Sequence, residues 1–346
     1  MRILYLGRLS GTCLDRADAL RRLGHELLHI DVRTLMPETV WIDRVTWRLG
    51  GGWFSAWVNS GLRSRITGQS FDLCYVDGGE WTAGSTIELV RKHAPLVVNY
   101  NIDDPFGLRD GARWIAYRHA AWRYDLCVVM RNENVTEARA HGVRNVLRVY
   151  RSADEVSHAP RPLSPQDRER WRADVLFLGT WFPERGPFLL ELIKRGVPLT
   201  IRGHKWQRAP EWEQLKSYWK GGSLFGDDYA RAIQCAKVNL GLLSKDNRDL
   251  HTTRSLEVPA LGGLLCAERT CEHLAMYKEN EEAVFWNDAD ECARVCRDIL
   301  ADEDRRQQIA AAGHARVHRN GHYNETIMRE ILDYATGLGV RSPEPA

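Results

Sequence analysis

One stretch in the second half of the chain concentrates residue types that bind phosphate and hydroxyl groups. In chain order these are Asp249, His251, Thr252, Thr253, Arg254 and Glu257, followed by Gly262-Gly263. Both threonines are good helix N-caps, so the pattern predicts a helix start whose free backbone N–H groups bind an anion. Arg254 adds a fixed positive charge that can fork onto phosphate oxygens. The stretch therefore predicts a site that binds pyrophosphate, with a protein carboxylate in reach of a neighbouring pair of ligand hydroxyls.

An ordinary capped helix that ends in a glycine turn explains the same residues, and the acid spacing alone favours it, because a charged chain offers many such pairs. Two other loops favour a binding site. Gly179 and Arg185 follow one apolar run, and His204 and Trp206 follow the next. Because parallel strands end at one edge of a sheet, we expect these loops and the stretch at 249–263 to line one crevice. Arg185 would help neutralise a diphosphate, and Trp206 would border a base.

The apolar runs that position these loops follow an alternating α/β order. The pattern of residues 2–32 predicts a strand, a glycine loop, a helix and a second strand, which together form a βαβ unit. Gly7 and Gly11 in that loop do not form the dinucleotide fingerprint, so NAD binding has little support. The same order restarts at 174–203, after a Pro- and charge-rich segment at 151–172. The patterns predict two Rossmann-like halves.

A second acidic motif, Asp103-Asp104-Pro105, follows the predicted strand at 95–100. One interpretation is that an acid there contacts a transferred sugar or an acceptor hydroxyl. The other is a helix N-cap, because Asp before Pro suits a helix start. The sequence favours neither.

These motifs carry a resemblance. An acid, seven residues, an acid and then Ala-x-Gly-Gly resembles the donor-site signature of retaining GT-B glycosyltransferases, and residues 253–263 look closest to the CgeB-like (spore-protein-like) group. Asp103-Asp104-Pro105 also resembles the Asp-Asp-Pro turn of that group. The resemblance implies a GT-B fold, in which two Rossmann-like α/β domains face each other across a cleft. We expect an acceptor domain at 1–155, a linker at 156–172, a donor domain at 173–319 and a C-terminal helix at about 320–346 that crosses back.

The resemblance also implies the chemistry. A sugar would pass from a nucleoside-diphosphate sugar, of unknown base, to an acceptor hydroxyl, with retention, without a metal or other cofactor, and without a protein nucleophile. Glu257 would accept hydrogen bonds from the ribose. The candidate residues are Asp103, Asp104 and Asp249 for catalysis, Gly179, Arg185, His204, Trp206, His251, Thr252, Thr253, Arg254 and Glu257 for donor binding, and Gly7 and Gly11 for a cleft loop of the first domain.

Composition limits the partners and the compartment. A formal net charge of +2 over 346 residues argues against nucleic acid as a partner. No apolar run reaches the roughly 20 residues that span a bilayer. Eight cysteines without a Cys-x-x-Cys pair favour reduced, buried thiols in a cytoplasmic protein rather than zinc or disulfides. Asp288-Ala-Asp290 has the spelling of a metal motif, but its place at a predicted helix start favours capping.

Residues 41–66 form a predicted helix–glycine–helix segment rich in Trp and Arg. One interpretation is an interfacial surface that touches the inner face of a membrane or a lipid-linked acceptor. The other is a helix pair that covers the first sheet with its Trp side chains packed inside. Because Gly50-Gly51-Gly52 interrupts the pattern, the sequence favours the second.

Two other functions stay open. A catalytically inactive GT-B-like protein would bind a nucleotide or glycan, although its site would tend to lose the charges kept at Arg185, Arg254 and Glu257. A sugar-nucleotide epimerase of the same fold would need acid/base groups in both domains, and its candidates are Asp103, His119, Glu133 and His251. The acceptor, whether glycan, lipid-linked or protein, is not indicated.

Overall fold

The computed structural model describes residues 1–107 and 109–340, and the chain divides into two compact units. Unit 1 contains Met1–Tyr150, Lys245–Arg248 and the segment from Asn324 onward. Unit 2 contains Arg151–Ser244 and Asp249–Tyr323.

Unit 1 is built on a parallel sheet with the strand order β2-β1-β3-β4-β5-β6. Its strands are β1 (Arg2–Leu6), β2 (Glu26–Ile30), β3 (Leu73–Asp77), β4 (Leu96–Asn101), β5 (Leu126–Val129) and β6 (Val146–Arg148). Its helices are α1 (Gly11–Arg22), α2 (Val40–Leu49), α3 (Ser55–Ile66), α4 (Gly84–Arg91), α5 (Ile115–Ala120) and α6 (Asn132–Ala140). Continuous apolar runs such as Ile3–Leu6 form these strands because helices cover both faces of the sheet.

Unit 2 repeats the plan with the strand order β11-β10-β9-β7-β8, again parallel. Its strands are β7 (Ala173–Leu178), β8 (Leu199–Arg202), β9 (Ala236–Gly241), β10 (Leu265–Glu268) and β11 (Val284–Trp286). Its helices are α7 (Pro165–Arg170), α8 (Arg185–Lys194), α9 (Trp212–Leu215), α10 (Gly226–Cys235), α11 (Arg254–Ala260), α12 (Cys271–Met276), α13 (Ala289–Ala301) and α14 (Glu303–Asn320). Both units are therefore Rossmann-like α/β domains.

The last helix, α15 (Asn324–Val340), belongs to unit 1. Met328 and Ile331 are fully buried in the core formed with β1, β3 and β4, and the Tyr75 hydroxyl lies 3.4 Å from the Met328 sulfur. The sequence placed a helix that crosses back at about 320–346. Of that range, residues 320–323 lie in unit 2, and 341–346 lie outside the described residues.

The segment predicted as a linker is an ordered part of unit 2. Ser164 and Asp167 form a capping box at the start of α7. The Arg161 backbone N–H donates to Gln234 Oε1 at 2.8 Å, and the Arg161 side chain pairs with Asp227 at 2.9 Å. Trp171 is 5% exposed. These contacts hold 156–172 against unit 2, so the boundary lies after Tyr150 and the linker prediction was wrong.

Candidate active site

The loop before α11 orders the predicted phosphate stretch through a buried serine. The Thr252 N–H donates to Ser255 Oγ at 3.0 Å, and Ser255 Oγ lies 2.7 Å from His273 Nε2. His273 Nδ1 lies 2.6 Å from the Glu268 carbonyl, so this nitrogen carries the proton and Ser255 donates its own to Nε2. Thr253 has helical backbone angles and makes no side-chain cap. The predicted threonine capping is therefore wrong, because neither the Thr253 side chain nor the Thr252 hydroxyl accepts a backbone hydrogen bond from the start of α11.

Glu257 lies on the first turn of α11 and is 5% exposed. Its Oε2 accepts a hydrogen bond from the Tyr229 hydroxyl at 2.5 Å, and its Oε1 lies 3.6 Å from His158 Nε2. Burial and then the nearby Glu257 charge raise the pKa of Tyr229 well above its ordinary value, which keeps the phenol a donor. The two neighbours fix the carboxylate and leave lone pairs that can accept from a ligand.

Arg254 and Thr252 each have a buried polar atom that is suited to bind an anionic ligand. Within the part of the chain that the structure describes, Arg254 Nε and Thr252 Oγ1 are shielded from solvent and have no hydrogen-bond partner. Burial lowers the pKa of Arg254, but Tyr229 and Glu257 raise it further, so the pKa ends above its ordinary value. A buried donor without a partner costs about 1–3 kcal/mol. A phosphate oxygen would satisfy such donors.

Asp249 and His251 belong to a buried network rather than to an open site. Asp249 is 8% exposed, and its Oδ1 accepts from Arg151 Nη2 at 2.8 Å. His251 is 1% exposed, and its Nε2 accepts the Arg151 backbone N–H at 3.1 Å while its Nδ1 lies 2.5 Å from Glu272 Oε2. Neither side chain has a surface to offer a substrate. The catalytic role predicted for Asp249 and the donor contact predicted for His251 are replaced by structural roles.

The loops after β7 and β8 are held together by Arg185 and Trp206. Arg185 donates to the carbonyls of Thr180, Leu242 and Leu243 at 2.9–3.2 Å, so these described contacts join the ends of β7 and β9. Trp206 is fully buried, and its Nε1 donates to the Gly179 carbonyl at 2.9 Å. A ring inside the core cannot stack on a base, so that role of Trp206 was wrong.

One glycine and one histidine complete the predicted donor residues. A Cβ on Gly179 would lie 2.7 Å from the Phe177 ring, so the close approach of the loops requires glycine there. His204 is exposed, and its carbonyl accepts the Trp181 N–H at 2.9 Å. Of the two donor residues predicted after β8, His204 is the one whose side chain a ligand can reach.

The carboxyl ends of β1, β3 and β4 in unit 1 surround a polar cavity of about 150 Å³. Glu80 and Arg113 form an ion pair on its wall, and Arg8 lies 3.3 Å from Glu80. The Asp103 carboxylate lies 3.3 Å from Arg113 Nη1 and is 36% exposed. Trp81 also lines the cavity, so acids, arginines and an indole surround one space.

A buried ion pair lies beneath this cavity. Arg16 Nε and Nη2 donate to the two Asp77 carboxylate oxygens at 2.7 and 2.9 Å, and both side chains are about 3% exposed or less. The Tyr5 hydroxyl donates to the same carboxylate at 2.5 Å. Gly7 lines the cavity, where a Cβ would lie 3.0 Å from the Asp77 Cβ. Gly11 starts α1 with a φ of +59° and open space around it.

Asp104 differs from its neighbour Asp103. It is 2% exposed, and Arg248 Nε and Nη2 each donate to its carboxylate at 2.7 Å. Asn134 Nδ2 and the Gly107 N–H add hydrogen bonds at 2.8 and 3.0 Å. These contacts occupy the carboxylate, so Asp104 anchors residues 245–248 in unit 1 and the catalytic prediction for it was wrong.

Comparison with solved structures decides the fold. The chain matches Anabaena Alr3699/HepE in complex with UDP and glucose at 12% identity and a TM-score of 0.66, over 97% of this chain and 100% of the other. It matches sucrose-phosphate synthase from Thermosynechococcus elongatus at 10% identity and a TM-score of 0.70, over 99% and 100%. A glycosyltransferase from Rickettsia africae matches at 14% identity and 0.61, over 99% of each chain. The chain has the GT-B fold.

A family model points to the same class for unit 2. The model described as glycosyl transferase-like matches residues 185–333, from α8 into α15. No curated protein matches the sequence significantly. The segment of the GT-B chain that this model matches includes α11, Glu257 and Tyr229.

Sequence reasoning missed several residues of this GT-B chain that act on the candidate site. His158 lies in the segment predicted as a linker, and Tyr229 lies in a predicted helix cap. Arg113 and Glu80 line the unit 1 cavity without belonging to any motif. Glu80 had one usable signal, because it directly follows the Gly78-Gly79 turn after a predicted strand.

Proposed function

We propose that this protein transfers a glycosyl group from a nucleoside-diphosphate sugar to an acceptor hydroxyl. The observation that carries the proposal is the group formed by Glu257, Tyr229 and Arg254 inside the glycosyl transferase-like segment. It combines an oriented, buried carboxylate with a cation whose Nε has no partner among the described residues. A ribose diphosphate offers the hydroxyl donors and anionic oxygens that match these two groups.

Each residue has a defined role in donor binding. Glu257 accepts hydrogen bonds from the ribose hydroxyls, while Tyr229 and His158 hold its carboxylate in place. Arg254 and the Thr252 hydroxyl donate to the diphosphate. Removing one donor from developing negative charge typically costs about 2.7–4 kcal/mol of transition-state stabilisation. Arg185 acts through the loops whose carbonyls it binds, and it is a positioning residue.

The reaction proceeds with retention and without a protein nucleophile. The acceptor oxygen bonds to the anomeric carbon as the bond from that carbon to the diphosphate oxygen breaks. The acceptor proton passes to a leaving phosphate oxygen, and the nucleoside diphosphate departs. This route is supported by the ion pairs that occupy two of the three candidate acids, Asp104 with Arg248 and Asp249 with Arg151. In this route a leaving phosphate oxygen, rather than a protein carboxylate, takes the acceptor proton.

The polar cavity of unit 1 is the proposed acceptor site, and Asp103 is the acid that contacts an acceptor hydroxyl. Its carboxylate is exposed and shares Arg113 with Glu80 and Asp110. An indole and paired charges in one cavity suit a sugar, whose hydroxyls both donate and accept. Membership of the CgeB-like group remains a prediction from residues 253–263.

Transfer without a metal is supported by the contacts of Asp288-Ala-Asp290. Asp288 Oδ1 accepts the Glu291 N–H at 2.8 Å and caps α13, while Asp290 pairs with Arg195 at 2.6 Å. One acid caps a helix and the other forms an ion pair, and neither belongs to the group around Glu257. In the proposed mechanism Arg254 supplies the positive charge at the diphosphate.

A thermal-shift panel of UDP, GDP, ADP, CMP and dTDP tests donor binding. A ligand at 100 times its dissociation constant adds about 2.7 kcal/mol to the free energy of unfolding. We expect one diphosphate to raise the Tm of wild type and of Glu169→Gln, an exposed carboxylate in unit 2. Glu257→Gln should lose most of the shift. If no nucleotide shifts wild type, or Glu257→Gln responds as wild type does, the donor-site assignment is wrong.

Product analysis with the matching nucleotide sugar separates the remaining functions. A new glycoside with retained anomeric configuration supports the proposal. An epimerised free sugar would make the protein an epimerase, and nucleotide binding without any product would make it an inactive GT-B-like binding protein. Activity that persists in excess EDTA supports transfer without a metal.

A further inference from the structure

Helices α2 and α3 and the turn between them, Gly51–Phe54, place a group of large apolar side chains on the surface of unit 1. We call it the aromatic patch, and its members are Val40, Trp41, Trp47, Leu49, Trp53 and Trp57. Their exposed fractions run from 45% for Trp57 to 76% for Val40. Scattered exposed apolar residues are ordinary, but four tryptophans within 17 residues are not.

The two helices do cover the sheet, but with other side chains. Ile42, Phe54, Val58, Leu62 and Ile66 lie in the core. The tryptophans of the same segment point away from that core. The expectation that they pack inside was therefore wrong, because the helix pair has a separate apolar face for the sheet.

Parts of the patch are joined by contacts between its members. The Trp41 ring lies 5.6 Å from Phe54 and 6.3 Å from Trp57 between centroids. Leu49 and Trp53 line an open groove of about 410 Å³ together with Ile115 and Ala116. Trp47 lies six residues after Trp41 on α2, about 120° away from it around the helix, and it is 49% exposed.

Four exposed arginines lie on the same two helices. Arg44 and Arg48 lie on α2, Arg63 and Arg65 lie on α3, and all four side chains are exposed. In residues 1–107 and 109–340 none of the four has an acid within ion-pair distance. The acid of the segment, Asp43, lies 3.5 Å from Arg33 instead. Four arginines and one aspartate give residues 40–66 a net charge of +3, whereas the whole chain carries +2.

We infer that the aromatic patch and its four arginines dock unit 1 on an anionic lipid bilayer. Indole rings prefer the water–lipid interface, since they combine an apolar body with one N–H donor. Arginines beside them meet lipid phosphates, and each basic residue near an anionic surface adds roughly 1 kcal/mol, or about fivefold in affinity. No helix in the described parts of the chain is long and apolar enough to cross a membrane, so the contact is peripheral.

Helix α2, which carries part of the aromatic patch, also contacts residues that line the polar cavity of unit 1. Trp81 Nε1 donates to Thr46 Oγ1 at 3.0 Å, and the Arg113 guanidinium lies 5.3 Å from the Trp47 ring. Trp81 and Arg113 both line the cavity. Docking through α2 would therefore bring this cavity close to the lipid surface. The docking itself does not depend on the proposed transfer reaction.

Co-sedimentation with phosphatidylcholine vesicles that contain 0–40% phosphatidylglycerol tests the inference. We expect binding to rise with the anionic fraction and to fall at 0.5 M salt, which shortens the Debye length to about 4 Å. Arg48→Gln should lower the partition coefficient about fivefold. Trp53→Ala should lower it about tenfold or more, because an indole can bury roughly 150–250 Å². Quenching of Trp fluorescence by brominated lipids should fall in parallel.

Matched controls carry the same chemical changes outside the patch. Trp122→Ala removes a tryptophan that is 52% exposed, and Arg139→Gln removes an exposed arginine on α6. Both should bind vesicles as wild type does, and all four variants should keep the wild-type Tm. The inference is overturned if wild type binds no vesicle composition, or if patch variants bind as well as the controls. Self-association lost in Trp53→Ala without vesicle binding would instead assign the patch to a second copy.

Discussion

The ion pair between Arg16 and Asp77 gives a quantitative test of how unit 1 is stabilised beneath its cavity. In Asp77→Asn the neutral amide keeps one oxygen acceptor but presents N–H donors to a guanidinium. Arg16, 3% exposed, then keeps its charge without a compensating carboxylate. Burial lowers the pKa of Arg16 but Asp77 raises it further, so the side chain stays charged in the folded protein.

Breaking a buried pair by removing one partner typically costs about 3–5 kcal/mol. For a unit of the size of unit 1, each kcal/mol shifts Tm by about 2–4 °C, so we expect Asp77→Asn to lower Tm by about 6–20 °C. Tyr5→Phe removes one hydrogen bond to the same charged carboxylate and should cost about 1.5–3 kcal/mol. Differential scanning calorimetry at fixed pH and salt measures both.

Asp18→Asn is the matched control, because Asp18 pairs with Arg21 on the same helix but both side chains are more than 40% exposed. Exposed pairs contribute about 0–1 kcal/mol, so its Tm should change little. If Asp77→Asn moves Tm no further than Asp18→Asn, burial does not determine the strength of these pairs and the reasoning fails.

Three other predictions concern single side chains. Burial raises the pKa of Asp104, but Arg248 and Asn134 lower it more, so the pKa of this carboxyl lies below its ordinary value. The stability that the ionised Asp104 adds is therefore present above about pH 4 and is lost as the pH falls through the pKa of the folded state. The difference in unfolding free energy between wild type and Asp104→Asn in urea should stay constant from pH 7 to 5 and shrink below pH 4. Cys271 is the exposed cysteine among the eight, all described, so native protein should show one fast thiol in a DTNB titration that Cys271→Ser removes. Tyr229→Phe should weaken nucleotide binding in calorimetry, but less than Glu257→Gln does.

The order of strands and helices was predictable because doubly covered parallel strands are continuous apolar runs. Ile3–Leu6 and Val175–Leu178 show this directly. The direction of loop side chains was not predictable. Lys205 has a φ of +66°, and this left-handed residue precedes the turn in which Trp206 enters the core. Nothing in the sequence His-Lys-Trp marks that conformation, since lysine rarely adopts it.

Contacts between residues that are far apart in the sequence were also not predictable, and this limited the prediction of the site. Glu257 was found from local spacing, but His158 lies 99 residues earlier and meets it only through the fold. Arg151 and Asp249 are separated by 98 residues and form one buried pair. A sequence motif shows which chemical groups are present. The long-range contacts of those groups determine which of them can still bind a ligand.

Asp103 and Asp104 show how the partners of a carboxylate decide its role. The sequence gives two adjacent acids equal weight, because both follow the same strand. In the structure Arg248, Asn134 and a backbone N–H occupy the carboxylate of Asp104, which is 2% exposed. Asp103 shares one guanidinium with two other acids and faces the cavity. An acid needs a free lone pair to contact an acceptor hydroxyl, so of these neighbours Asp103 is the one suited to that contact.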